Sequence, residues 1–126
     1  MTNVYGIGID GIEIERIRKA ALKYGDIFLN RIYTPEELKY CFRKKNPYPS
    51  LAVRFAAKEA VAKVFGVGIG AAFGWQSIKI LTNDKGAPFV ILNEKGYALL
   101  KQLSAEKILV SLSHTAFFAQ AVAILG

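Results

Sequence analysis

Cysteine, histidine, methionine and tryptophan each occur once in this chain of 126 residues. The lone Cys41 has no intramolecular disulfide partner, and a reducing cytoplasm is the default setting for such a chain. One cysteine and one histidine cannot assemble a structural zinc site. A long apolar run is missing too, so no segment reads as a membrane span. The amino terminus carries no basic leader before an apolar stretch, which reads against a signal peptide and for a cytosolic protein. Acids are scarce, at 10 against 17 lysines and arginines, and the formal charge is +7. What remains is ample: 52% hydrophobic and 21% charged residues, a globular composition that excludes a disordered tail. The length fits a single domain, residues 1–126, with some of its apolar surface paired to another subunit.

The basic excess is uneven. Residues 1–63 hold 12 of the 17 cations and 7 of the 10 acids, a net +5. Such a half suits nucleic acid, an anionic membrane, a phosphate-rich small molecule or an acidic protein. Arg16, Arg18, Lys19, Lys23 and Arg31 lie around its first helical segment, either as a solvated face or as a surface for an acidic protein or a nucleic acid. Few aromatics interleave with them, and no nucleic-acid module is recognisable.

Along the chain, residues 4–10 read as a strand ending at Asp10. Residues 12–24 have helical spacing, with Ile14, Ile17 and Ala21 on one side. Thr34-Pro35-Glu36-Glu37 is a helix start with cap, proline and returning glutamate, and that helix runs to about Arg43. Ser50 caps a third helix over 51–65, which Gly66 stops. Residues 76–82 and 88–92 form a hairpin around Asn83-Asp84-Lys85-Gly86. Asn93 caps a short helix to 103. Residues 107–113 and 117–125 form a last hairpin. Strand, three helices, hairpin, helix, hairpin describes an α+β fold with a small, mostly antiparallel sheet and packed helices.

Gly6-x-Gly8-x-x-Gly11 spells the dinucleotide fingerprint, but the second parallel strand it requires is replaced by helices. Its glycines instead let the backbone approach another chain or a ligand closely. Asp10 serves at this level either as a helix cap, the commoner role, or as a metal-ligand carboxylate. In the third helix, Glu59 and Lys63 share one stripe, and Arg54 and Lys58 form a second pair at the same spacing. The bland reading is a surface ion pair, Glu59 with Lys63, worth about 0.3–0.5 kcal/mol. The four residues read equally as a glutamate holding Mg²⁺ while cations hold phosphate, since three cations around one acid call for an anion. Gly66, Gly68 and Gly70 present backbone amides or merely a flexible exit; the lysine–serine/threonine ending of a P-loop is missing. His114, in Ser111-Leu112-Ser113-His114-Thr115, lies at a turn, and no nucleophile elbow accompanies it. Cys41 reads as core.

Taken together, three sets of residues resemble the holo-acyl-carrier-protein synthase branch of the 4'-phosphopantetheinyl transferases. The first is Gly6-Ile7-Gly8-Ile9-Asp10 with Glu13-Ile14 and Arg16. The second is Arg54-Phe55-Ala56-Ala57-Lys58-Glu59-Ala60 with Lys63, then Gly66 to Gly70. The third is Trp75, Gly86-x-Pro88 and the segment around His114. Gly11 departs from the pattern, where a larger apolar residue is expected. The resemblance implies transfer of 4'-phosphopantetheine from coenzyme A to a serine of apo acyl carrier protein, releasing adenosine 3',5'-bisphosphate and supporting fatty acid biosynthesis. It implies Asp10 and Glu59 as Mg²⁺ ligands, and Glu59, Lys63 and Asp10 as the catalytic set. Coenzyme A would be held by Arg54, Lys58, Lys63, Gly66, Gly68 and His114. The carrier would dock on Arg16, Lys19, Lys23 and Arg31. A homotrimer with sites between subunits is implied, with neither nucleic acid nor membrane as partner. The base that takes the serine proton stays open among Glu59, Asp10 and a water on the metal.

Overall fold

Helix α4 (Tyr48–Val64) is the axle of the fold. In a computed structural model that describes residues 3–70 and 73–126, its buried positions run round most of its circumference, from Leu51 and Val53 to Ala60 and Ala62. A helix buried round most of its surface belongs in the middle of a protein. Met1 and Thr2, at the start of the stretch read for a leader, fall outside the described residues.

Around α4 the chain runs β1 (Gly6–Glu13), α1 (Ile14–Tyr24), α2 (Asp26–Ile32), α3 (Pro35–Phe42), then α4 itself. It continues through a 3₁₀ turn (Trp75–Ser77), β2 (Ile78–Thr82), β3 (Pro88–Leu92), α5 (Glu94–Gln102), β4 (Ile108–His114) and β5 (Phe118–Leu125). One antiparallel sheet has the order β1-β5-β4, and β2 and β3 form a separate antiparallel hairpin. The architecture is the expected α+β, and a parallel dinucleotide-binding unit is not among the described residues. One apolar cluster joins α4 to both sheets through Val61, Ile78, Ile80, Ala121 and Ala123. A second joins it to α1–α3 through Ile14, Ile17, Tyr33, Cys41 and Leu51. No helix of the described residues is long and apolar enough to cross a membrane.

The first strand packs unusually tightly on α4. A Cβ built on Gly8 would stand 2.3 Å from the carbonyl oxygen of Ala60, so only glycine permits this approach. Gly11 has a similar cause: a Cβ there would stand 2.5 Å from the ring of Phe118, which lies over it. Both glycines therefore serve contacts within this chain.

Several boundaries differ from expectation. Strand β1 runs on to Glu13, paired with Phe118, so α1 starts at Ile14 and Asp10 is mid-strand rather than a helix cap. Helix α2 goes unread in the sequence because seven residues are too few to display a period. Helix α4 starts at Tyr48, because Pro47 and Pro49 fit a first turn where their missing N–H groups cost nothing. Ser50 is thus inside the helix and not its cap. Strand β2 begins at Ile78, since Trp75–Ser77 turns as 3₁₀. The two other caps stand as read. The Thr34 hydroxyl accepts from the Glu37 N–H, and the Glu37 carboxylate accepts from the Thr34 N–H. The Asn93 side chain accepts from the Gly96 N–H.

Candidate active site

Alternation along β1 puts Gly6, Gly8, Asp10 and Ile12 on the face toward α4. Because the glycines draw the strand in, the Asp10 side chain reaches the last turns of the helix. The Lys63 ammonium donates to Asp10 Oδ1 at 2.8 Å and to the carbonyl of Ile9 at 3.1 Å. Glu59 lies one turn earlier on the stripe of Lys63. It is half-buried, and among the described residues it has no hydrogen-bond or ion-pair partner. Burial first, and the negative charge of Asp10 second, push its carboxyl above the usual range, while Lys63 pulls it down. Two segments 53 residues apart therefore meet, and the structure brings Asp10, Glu59 and Lys63 together.

Arg54 and Lys58, the second stripe, turn inward. Lys58 has 0% exposure; its ammonium donates to Glu37 Oε1 at 2.6 Å and to the carbonyls of Ile32 at 2.8 Å and Trp75 at 3.0 Å. Glu37 is equally buried and also accepts from the N–H groups of Thr34 and Ile80. Desolvation lowers the Lys58 ammonium from its ordinary range, and Glu37 opposes that shift. Arg54 is 2% exposed and donates to the carbonyls of Ile80 and Ser50 and to the Thr82 hydroxyl, with its guanidinium 4.5 Å from the centre of the Tyr40 ring. The anion that Lys58 calls for is thus supplied inside the fold by Glu37, legible in the sequence only as part of a cap, while Arg54 meets neutral oxygens. Lys58 has no surface with which to touch a ligand.

The cations that do reach solvent nearby were not singled out in the sequence. Lys39 and Arg43 line an open pocket of about 310 Å³ with Glu36, Tyr40, Thr82 and Phe89, and Arg54 contacts Tyr40 and Thr82 from within. A hydrogen bond from Thr82, and then the charges of Lys44 and Arg54, hold the Tyr40 phenol below its usual range against partial burial. The signal available was the run Arg43-Lys44-Lys45 at the end of a helix.

Gly66 follows α4 with φ of +75°, and among the described residues no atom beyond its chain neighbours stands within 4 Å of a Cβ built on Gly66 or Gly68. The Cα side of both is open, although the Gly66 N–H already donates to the Lys63 carbonyl at 2.9 Å. His114 closes β4 with Nδ1 2.9 Å from the Thr115 carbonyl oxygen; no contact joins it to Asp10, Glu59 or Lys63. Arg16, Lys19, Lys23 and Arg31 are all exposed. Arg16, Lys19 and Arg31 have no ion pair among the described residues, so this basic face is uncompensated.

Does this site suit a metal ion? Among the described residues no group of three or more histidine, cysteine or acidic side chains comes together, which leaves no closed cage. Asp10 and Glu59 do offer two carboxylates whose mutual repulsion already raises Glu59. A hard divalent ion that keeps waters and takes its other oxygens from a phosphate substrate asks for about that many. The residues fit such an ion.

The sequence matches the family described as the 4'-phosphopantetheinyl transferase superfamily over residues 6–121. It is 51% identical to holo-acyl-carrier-protein synthase of Chlamydia trachomatis serovar L2 over 121 residues, 96% of this chain and 98% of that protein. It is 44% identical to the protein of that name from Chloroherpeton thalassium, over 94% of this chain and 95% of the other. The crystal structure of holo-acyl-carrier-protein synthase from Neisseria meningitidis has a TM-score of 0.90 and 33% identity, covering 98% of this chain and 99% of that one. The Helicobacter pylori enzyme in complex with coenzyme A has a TM-score of 0.84 and 35% identity, covering 95% and 99%. The fold, the meeting of β1 with α4 and this likeness along nearly the whole length lead to one conclusion: the chain belongs to the 4'-phosphopantetheinyl transferase superfamily.

Proposed function

We propose that the chain transfers 4'-phosphopantetheine from coenzyme A to a serine of an apo acyl carrier protein, leaving adenosine 3',5'-bisphosphate. The observation that carries this reading is the convergence of Asp10, Glu59 and Lys63 in a chain so similar to synthases of that name. Mg²⁺ is the cofactor of choice, with Asp10 and Glu59 to hold it; when bound, it would offset charge on the diphosphate.

The remaining work falls to the chain's own groups. In phosphoryl transfer, positioning and charge neutralisation dominate. The exposed end of Lys63 is free to turn toward the diphosphate and to give a proton to the departing phosphate oxygen. Glu59, with its raised proton affinity, suits the proton of the attacking serine, and Asp10 is the alternative. The amide of Gly68 suits the nucleotide side, while that of Gly66 is already bonded to the Lys63 carbonyl. Lys39 and Arg43 are better placed to touch coenzyme A than the buried Lys58 and Arg54, whose part is to hold α4 in position. Arg16, Lys19, Lys23 and Arg31 form the face for an acidic carrier.

Outside the sheet, Ile7 is 69% and Ile9 61% exposed, with Leu109 and Phe118 beside them. An apolar sheet face of this kind suits association with further copies, and a homotrimer would bring His114 of one copy toward the site of another. A cytoplasmic place in fatty acid biosynthesis belongs to the same reading.

Incubation with coenzyme A, Mg²⁺ and apo carrier, followed by intact-mass measurement, tests it. The carrier gains the mass of phosphopantetheine; an unchanged carrier mass refutes the proposal.

A further inference from the structure

Resting on the reading of Asp10 and Glu59 as a divalent-cation site, we propose that the Lys63 ammonium is the resident cation of the metal-free site. A divalent ion then reaches Asp10 only by displacing it. The ammonium takes one oxygen of Asp10 at 2.8 Å and the carbonyl oxygen of Ile9 at 3.1 Å. These are hard oxygen donors, the kind that Mg²⁺ and Mn²⁺ also select. Glu59, one turn away, makes no bond of its own, so Lys63 is the one positive group in contact with this carboxylate pair among the described residues.

Lys63 is well built for exchange. Its side chain is 53% exposed, whereas Lys58 on the other stripe has nowhere to go. Swinging out costs an exposed ion pair and frees a long side chain. The freed ammonium is then available to the phosphates of the incoming substrate. Metal and phosphate therefore help each other: one releases Lys63 from Asp10, and the other gives Lys63 a new anion. By linkage the assistance is reciprocal.

The test uses Mn²⁺ alone, titrated by paramagnetic resonance into the full chain without coenzyme A, alongside nuclear magnetic resonance of the Lys63 Cε during Mg²⁺ titration. Lys63→Met, at an exposed position, should bind Mn²⁺ about threefold to fivefold more tightly than the parent chain, the upper end of an exposed ion pair's worth. The Lys63 Cε resonance should move in step with Mg²⁺ occupancy. Equal or weaker Mn²⁺ binding by Lys63→Met overturns the inference. So does a Lys63 resonance that stays put while the variant binds more tightly, because long-range repulsion alone would then account for the gain. Unchanged Mn²⁺ binding by Asp10→Asn and Glu59→Gln instead overturns the site reading on which the inference rests.

Discussion

Half-burial beside Asp10 makes the Glu59 carboxylate costly to ionise in the folded chain. A group whose folded pKa is raised favours folding at low pH and loses that contribution as pH rises through the folded value. Glu59→Gln should therefore raise the thermal midpoint of the metal-free protein at pH 7. The gain should shrink as the pH falls and Glu59 is protonated in folded and unfolded chains alike. Phosphopantetheine transfer should be lost in the same variant, as in Asp10→Ala; thermal scans and the carrier mass assay check the two halves separately. Lys58→Met is expected to do the opposite. It strands Glu37 in the interior and should lower stability by about 3–5 kcal/mol in urea titration. Glu59 and Lys63 were legible in the sequence because four-residue spacing fixes a shared helix face. The partner of Lys58 was not, since Glu37 lies 21 residues away on another helix and already had a local explanation as a capping residue. The inward turn of Arg54 depends in the same way on Ile80 and Thr82, which only the folded chain brings near.

At the scale of elements, the fit of β1 on α4 hangs on one missing side chain. Gly8→Ala should cost about 3 kcal/mol or more, because the opposing atom is helix backbone that cannot turn aside. Chemical denaturation measures the loss, and Mn²⁺ binding should weaken with it. Helix α5 offers a contrary case. Its exit has the Ala105 N–H bonded to the Leu100 carbonyl and the Ser104 N–H bonded to that of Lys101, the arrangement of a Schellman cap. Serine, not glycine, occupies the left-handed position, with φ of 54°. Ser104→Gly should stabilise the fold by roughly 0.5–1 kcal/mol, read as a higher denaturation midpoint with unchanged transfer. Most elements could be read from sequence because caps and alternation are local signals: Thr34, Asn93 and the Asn83–Gly86 turn all behave as their residue types dictate. Where β1 ends was not such a signal. Its run to Glu13 is imposed by pairing with β5 at the far end of the chain, and that pairing made Asp10 a strand residue.

For the whole molecule, the apolar outer face of the β1-β5-β4 sheet and the basic face of α1 make different predictions. Ile9→Glu should shift sedimentation toward a smaller species while leaving the helical circular dichroism intact. Arg16→Glu should leave assembly alone and raise the KM for the carrier rather than for coenzyme A. A rise in the coenzyme A KM would place the docking surface elsewhere. The antiparallel register of β1 has a consequence for how the protein is made. Among the described residues Asp10 belongs to the first strand in chain order, and its one strand neighbour there is β5, opposite it at Ala121. During translation Glu59 and Lys63 emerge on a helix that can form early, while β1 waits, unpaired, for nearly the whole chain to leave the ribosome. Closing so long a loop is slow. Chains released before β5 is made would leave Asp10 on a strand with no sheet to hold it, and so no assembled site with which to compete for coenzyme A.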